Sequence, residues 1–337
     1  MQKTLDEKIA RILKDSAAPD FILADAKDAD MGFGIAAPGV QDNSSDGIAR
    51  FHSIDTYRQN MREIVQQGLV DIMLMSVSTS EILTIEERLF DESAVTPAIR
   101  ANDTSDIWLG ESGDYKNQPS LPFQTTTLDH AQCGKSFCSP EERSLGVDLG
   151  LYSITFNNDA ILDREALQEY AVFRIEAEEA EFRHFLEVFV PNAPGSRSPQ
   201  DTGRFVNDSI ARTLAGVTRS GRPLFLKMPY FGPRYMEDLV QYDASLIVGV
   251  LGGPAGTTHD AFQLLWEAKK YGARAALFGR KINQSEHQLS FVKILRAIAD
   301  GQIEPEEAVR AYHGELQQRE ITPKRDLETD LQFTPAN

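Results

Sequence analysis

Cysteine is nearly absent from this chain: Cys133 and Cys138 are the only two in 337 residues. Two thiols cannot build the disulfide framework on which small secreted folds depend. The pair reads as two surface-loop thiols of a reducing compartment. Long apolar runs are missing too. None approaches the ~20 residues needed to cross a bilayer, and residues 1–10 hold no apolar signal core, reading instead as an amphipathic helix. Positive charge is scarce, with 34 Lys and Arg against 51 Asp and Glu, a net charge of −17. Such a balance argues against nucleic acid as a partner, although a local site can still hold a small anion. These absences lead to the expectation of a cytoplasmic protein that engages neither membrane nor nucleic acid. With 41% hydrophobic and 25% charged residues, the chain can bury a sizeable core.

Several catalytic signatures are lacking as well. The six histidines are scattered without His-x-His or His-Glu-x-x-His spacing, so no metal site is read. His184 and His259 read as surface or capping residues. A Ser-His-Asp arrangement finds no Gly-x-Ser-x-Gly elbow. The stretch Met31-Gly32-Phe33-Gly34-Ile35-Ala36 lacks the third glycine and the following helix of a dinucleotide fingerprint. No cofactor is expected.

What the chain does contain is a regular alternation of short apolar runs and helical patterns, the signature of a parallel sheet with crossover helices. Strands are predicted at Phe21–Ala26, Val70–Ser76, Ala98–Ala101, Gly146–Thr155, Phe185–Val190, Leu224–Met228, Leu246–Leu251 and Ala275–Phe278. Helices are predicted at about 54–67, 163–182, 202–219, 234–241, 258–271 and 287–300. Eight strands in one continuous alternation fit a closed (β/α)8 barrel. The resulting division is an N-terminal helix over 1–20, the barrel over 21–301 and a C-terminal helix and tail over 302–337. The end of that tail, from about Gln317, is polar and aperiodic and reads as surface. A long irregular insertion, 105–143, follows the third strand, so it falls at the strand C-terminal face where a barrel keeps its active site. Loops of that length are functional or disordered; a lid or an oligomer contact is expected there.

Charged residues inside apolar strands are the candidates for chemistry. Lys227 lies in Leu224-Phe225-Leu226-Lys227-Met228. Burial lowers a lysine pKa, and a neutral amine can attack a carbonyl to form an iminium, an electron sink for C–C chemistry. The plainer alternative is a structural lysine paired with a carboxylate. Glu187, in Phe185-Leu186-Glu187-Val188, is expensive to bury unpaired, and Lys227 or Lys27 is its expected partner. Asp25 and Lys27 share one face of the first strand, whereas Asp28 and Asp30 read as solvated or capping. Tyr152 is either a proton donor or a core tyrosine. Arg100, Asn102 and Asp103 end the third strand and either bind substrate or tie down the insertion.

Two later strand ends bear glycines: Gly252-Gly253-Pro254 with Gly256 and a helix starting near His259, and Gly279 with Arg280. Glycines let backbone N–H groups approach an anion, and a guanidinium suits phosphate. Barrel phosphate sites form at the seventh and eighth strand loops, which is where these residues fall. Tight turns alone would also explain the glycines.

These residues resemble the DhnA/LacD-type class I (Schiff-base) aldolases, a group that includes archaeal-type fructose-bisphosphate aldolase and the LsrF-like thiolases. The resemblance covers Phe21 to Gly301 and is most specific at Gly252-Gly253-Pro254 and Phe278-Gly279-Arg280-Lys281-Ile282-Asn283-Gln284. It implies that Lys227 forms the Schiff base and that Asp25 binds substrate or moves protons. It implies further that Glu187 matches a fifth-strand glutamate and that Tyr152 corresponds to a fourth-strand acid. The first-strand motif stands here as Asp25-Ala26-Lys27 rather than Asp-His-Gly or Asp-Gln-Arg, so fructose- or tagatose-bisphosphate specificity does not transfer.

The resulting expectation is a lyase making or breaking a C–C bond in a phosphorylated ketose or related carbonyl compound. Lys227, Asp25, Glu187 and Tyr152 would be catalytic; Lys27, Gly252, Gly253, Gly256, Gly279 and Arg280 would bind substrate. A homo-oligomer is expected. The alternatives are an isomerase or thiolase-like acyl transferase on the same barrel, or a non-catalytic sugar-phosphate regulator.

Overall fold

The computed structural model describes residues 1–41, 50–108, 113–193, 201–253 and 256–334; Pro254 of the glycine-bearing loop and residues 109–112 of the insertion lie outside them. In chain order the strands are β1 (Ile22–Lys27), β2 (Ile72–Met75), β3 (Thr96–Arg100), β4 (Asp103–Thr104), β5 (Pro122–Phe123), β6 (Leu149–Thr155), β7 (Arg183–Phe189), β8 (Leu226–Lys227), β9 (Gly249–Leu251) and β10 (Ala275–Phe278). β4 and β5 pair antiparallel as a small hairpin. The other eight are parallel, in the order β8-β7-β6-β3-β2-β1-β10-β9. Parallel bridging of Met228 to Val250, with Met228 N–H donating to Gly249 O at 3.1 Å and Leu251 N–H to Met228 O at 2.9 Å, joins the two ends. The sheet is thereby a (β/α)8 barrel, as the alternation predicts.

The helices are α1 (Thr4–Lys14), α2 (Asp30–Phe33), α3 (Ile54–Gln67), α4 (Val77–Ser80), α5 (Leu128–Cys133), α6 (Ala160–Glu179) and α7 (Thr202–Ala215). They continue with α8 (Pro233–Tyr242), α9 (Thr258–Lys270), α10 (Arg280–Asn283), α11 (Gln288–Ala299), α12 (Pro305–Gln318) and α13 (Leu327–Asp330). Local chemistry explains where the longer ones begin. Ser53, Asp159 and Asp201 accept backbone N–H bonds at the starts of α3, α6 and α7, and Thr257 with Asp260 forms a capping box on α9, each satisfying donors that a helix start leaves free.

Burial separates the strand residues into two sets by parity. Ile22, Ala24, Ala26, Ile72, Leu74, Ala98, Leu149, Leu151, Phe185, Phe225, Ala275 and Leu277 fill the barrel interior, which Leu5, Ile9 and Ile12 of α1 stopper. α1 is fastened at the N-terminal ends of the strands, where Lys8 Nζ reaches Asp71 at 2.8 Å and Phe21 O at 2.9 Å. The alternate residues, among them Leu23, Met73, Ile99, Tyr152, Leu186, Leu226 and Phe278, pack outward against the helices.

Sequence expectations for the cysteines and two histidines need correction. Cys133 and Cys138 are joined in a disulfide at the end of α5; five residues apart in one tight loop, they are held close enough to bond. The C-terminal segment is largely exposed, as its polar composition predicts, yet it is docked on the barrel. Asp330 accepts from Thr258 N–H at 2.7 Å and meets His313 at 3.0 Å, Thr257 Oγ1 donates to Gln332 O at 2.7 Å, and Phe333 stacks on His259. Polar composition hid this docking because its contacts are hydrogen bonds to the start of α9. His259 is therefore buried under the tail, and His184 is buried beside the Tyr170 hydroxyl at 2.9 Å rather than at the surface.

Candidate active site

The inward residues near the C-terminal ends of the strands form one chain of charge. Ser153, Glu187 and Lys227 stand in register on the neighbouring strands β6, β7 and β8. Inward parity follows from Leu151, Phe185 and Phe225 two residues before each. Lys227 Nζ lies 2.5 Å from Glu187 Oε1. The other oxygen, Glu187 Oε2, accepts from Ser153 Oγ at 2.7 Å and from an Arg100 guanidinium N–H at 3.3 Å. Arg100 also donates from Nε to Asp28 at 2.6 Å and from Nη1 to Ser153 Oγ at 3.0 Å. The order across the mouth is Asp28, Arg100, Glu187, Lys227, with carboxylates and cations alternating. All four are 1–6% exposed.

Electrostatics follow from that order. Burial raises the Asp28 pKa, but Arg100 and Lys227 outweigh it and hold the carboxyl below the usual carboxylate range. Against its own burial, Arg100 is kept protonated by Asp28, Glu187 and Asp103. Buried charges persist in such sites because each has a hydrogen-bonded opposite. The arrangement is chemically suited to one proton transfer: an ammonium within hydrogen-bond reach of a carboxylate that two other donors fix in place.

The insertion is tied down beside this mouth. Asn102 Nδ2 donates to Ser153 O at 2.9 Å and its Oδ1 accepts from Ser153 N–H at 2.6 Å, which pins the departure of the chain from β3 to β6. Asp106 accepts from Ser120 Oγ at 2.6 Å and from Thr155 Oγ1 at 3.1 Å. Asn157 holds both backbone groups of Ser120, at 2.8 and 2.9 Å, and Asn192 donates to Lys116 O and Gln118 O. Trp108 packs edge-on against Phe123 of the hairpin. The polar clasp lies over the ends of β6 and β7, beside the charge chain.

Not every residue singled out in the sequence is brought here. Lys227 and Glu187 are together, as their expected pairing requires. Asp25 and Lys27 share a face, but it is the outer one. Asp25 is in register with Met73 and Phe278, both outward. Lys27 Nζ lies 3.3 Å from Asp25, bonds Gln288 Oε1 at 2.8 Å and sits over the Tyr57 ring. Burial pushes Asp25 up to about 6, with Lys27 opposing, and burial lowers the Lys27 pKa. The first-strand carboxylate at the mouth is Asp28, on the parity of Ala24 and Ala26. Tyr152 is also outward, against Tyr170 and Phe173, where burial raises its pKa; it is a core tyrosine. The sequence reading of Asp28 as solvated or capping is corrected, because it is buried against Arg100, and Ser153 was not singled out. The available signal was position, since Asp28 lies just past the C-terminal end of β1, where barrel sites form, and Asp25 lies inside the strand.

At the other side of the mouth, Gly253 has a φ of +73°, which favours glycine. A Cβ on Gly279 would stand 2.5 Å from Ala26 O, so β10 can lie against β1 only without one. Gly252 N–H already donates to Leu277 O at 2.8 Å, and Gly256 O accepts from Lys281 Nζ. Arg280 is exposed, over the Phe33 ring, and has no carboxylate partner among the described residues. The start of α9 is occupied, with Thr257 and Thr258 N–H donating to Asp260 and Asp330. Of the expected anion site, Gly252 N–H is committed to β10 and the start of α9 to Asp260 and the tail, which leaves Gly253 and the Gly279–Arg280 turn.

No family model and no curated protein matches this sequence. Solved structures do. An archaeal fructose 1,6-bisphosphate aldolase aligns over 88% of this chain and 100% of its own, with a TM-score of 0.60 and 16% identity. A Schiff-base-forming fructose-1,6-bisphosphate aldolase aligns over 89% of this chain and 100% of its own, at 0.58 and 16%. An archaeal fructose-1,6-bisphosphate aldolase whose catalytic lysine carries the substrate's carbinolamine intermediate aligns over 88% and 100%, at 0.58 and 17%. The likeness is one of fold: this chain shares the (β/α)8 barrel of the DhnA-type Schiff-base aldolases.

Proposed function

We propose that the protein is a class I aldolase-like lyase that makes or breaks a C–C bond in a phosphorylated ketose or related carbonyl compound through an iminium on Lys227. The observation that carries this reading is the 2.5 Å contact between Lys227 Nζ and Glu187, buried at the strand C-terminal ends of a barrel folded like the Schiff-base aldolases. Glu187 takes one proton from the Lys227 ammonium, and the free amine adds to the substrate carbonyl. Loss of water from the carbinolamine gives an iminium, which accepts the electron pair of the adjacent C–C bond as it breaks. Arg100 and Ser153 hold Glu187 in the geometry this transfer needs, and Asp28 anchors Arg100. Asp28, Arg100 and Ser153 thus join Lys227 and Glu187 in the proposed site, whereas Asp25, Lys27 and Tyr152 stand behind the wall. Gly253, Gly279 and Arg280 are the proposed phosphate contacts, supported by the uncommitted guanidinium and the backbone turn.

Borohydride reduction in the presence of ketose phosphates, fructose 1,6-bisphosphate among them, tests the reading. The expected result is a stable adduct on the peptide containing Lys227, absent in Lys227→Met. Turnover of a ketose phosphate with no label on Lys227 refutes the iminium.

A further inference from the structure

The charge chain at the mouth contains no free acid or base for the substrate's own hydroxyl. Asp28 is committed to Arg100, and Glu187 accepts from Lys227, Ser153 and Arg100. Tyr152 faces away. Yet C–C cleavage beside an iminium requires that the hydroxyl on the departing carbon lose its proton as that carbon becomes a carbonyl.

Three further carboxyls lie at this end of the barrel, of which Asp106 is committed to Ser120 and Thr155. Asp30 accepts from Ser76 Oγ at 2.5 Å and is partly exposed. Asp103 differs. It is 1% exposed, and among the described residues its Oδ1 has no hydrogen-bond partner and its Oδ2 has only a 3.5 Å contact from Thr125 Oγ1. It sits on β4, one residue past Asn102, whose two bonds to Ser153 fix the strand beside the site. The charges within its electrostatic reach are Arg100, Asp28 and Asp30, all at the mouth. A buried, unpartnered carboxyl is costly, and Asp103 is kept so next to the one place where a polyhydroxy substrate would supply its missing partner. Burial also pushes it up to about 6, with Arg100 opposing and Asp28 and Asp30 reinforcing, a value suited to proton transfer near neutrality.

We propose that Asp103 is the general base and acid for the substrate hydroxyl in C–C cleavage and condensation. This rests on the iminium reading above. In cleavage the Asp103 carboxylate takes the hydroxyl proton, the O–H pair becomes the new C=O, and the C–C pair moves to the iminium carbon framework to leave an enamine on Lys227. In condensation the same carboxylic acid returns the proton to the nascent alkoxide. The β4–β5 hairpin thereby delivers the proton-transfer group beside the mouth.

The test compares native chain with Asp103→Asn and Asp103→Glu, using fructose 1,6-bisphosphate and other ketose phosphates. Two readouts are taken, borohydride adduct on Lys227 and release of aldehyde. Asp103→Asn is expected to keep the adduct while aldehyde release falls about 10²–10⁴-fold, and Asp103→Glu to restore part of it. In the native chain kcat/KM rises with pH through an ascending limb near 6, as Asp103 ionises; that limb is lost in Asp103→Asn. Unchanged release and an unchanged limb in Asp103→Asn overturn the assignment while leaving the iminium intact. Loss of adduct and release together in a variant that melts like the native chain also overturns it, because Asp103 would then act before C–C cleavage. A native chain that turns over substrate without an adduct overturns both readings.

Discussion

Arg100→Met removes the guanidinium that links both carboxylates of the mouth, and its cost can be worked from the geometry. Asp28 loses its 2.6 Å partner and is left 6% exposed with only Lys227 as a more distant cation. Glu187 keeps Lys227 and Ser153. Breaking a buried pair by removing one partner costs about 3–5 kcal/mol. The unfolding entropy of about 2.1 cal/mol/K per residue gives about 0.7 kcal/mol/K for 337 residues, so the Tm should fall by about 4–7 °C at pH 7.5. The pH dependence identifies the cause. In the native chain Asp28 is held low, so its contribution is present above the ordinary carboxylate range and lost as pH falls through the folded pKa. In the variant burial acts with little opposition and raises that pKa. The penalty then grows as pH rises from about 4 and is relieved as Asp28 protonates. Melts at pH 5 and 7.5 should show the smaller Tm loss at pH 5, and Arg100→Met with Asp28→Asn should recover most of the loss at 7.5. A loss under 1 °C at pH 7.5 would refute the buried network; equal losses at both pH values would refute its electrostatic basis.

Lys27→Met should destabilise by about 3–5 kcal/mol at pH 7.5, because it strands Asp25. Asp25→Leu with Lys27→Met should be neutral or stabilising by about 1–4 kcal/mol. Because Asp25 is pushed up to about 6, its contribution is lost as pH rises from the carboxylate range through that value, and melts of the double variant should lack this slope. The Lys227 adduct should be unaffected in either variant; its disappearance would put Asp25 and Lys27 back in the site. Asp330→Ala removes the acceptor of Thr258 N–H and the partner of His313. It should cost about 1–2 kcal/mol, as a lost helix cap does, and should speed amide exchange over 257–260; unchanged exchange there would show that the tail docks without bracing α9.

Much of the fold was legible because its cause is local. Each of the eight apolar runs became a strand of the barrel. Lys227 and Glu187 were legible for a related reason: a charge inside an apolar strand has to be paired or functional, and here they are paired with each other. The disulfide and the docked tail were not legible, since loop closure between Cys133 and Cys138 and the bonds from Asp330 to Thr258 depend on backbone paths that composition does not encode.

By itself the sequence determined the barrel, the order of its strands and the lysine–glutamate couple. Only the tertiary structure decided which side of β1 faces the site. A strand buried on both faces carries no polar alternation to mark inside from outside, and neighbouring parities point in opposite directions. Asp25-Ala26-Lys27-Asp28 therefore reads the same for either orientation. Packing of Leu23, Asp25 and Lys27 against the helix layer turned Asp28 inward onto Arg100, and that choice set the charge chain in which Lys227 sits.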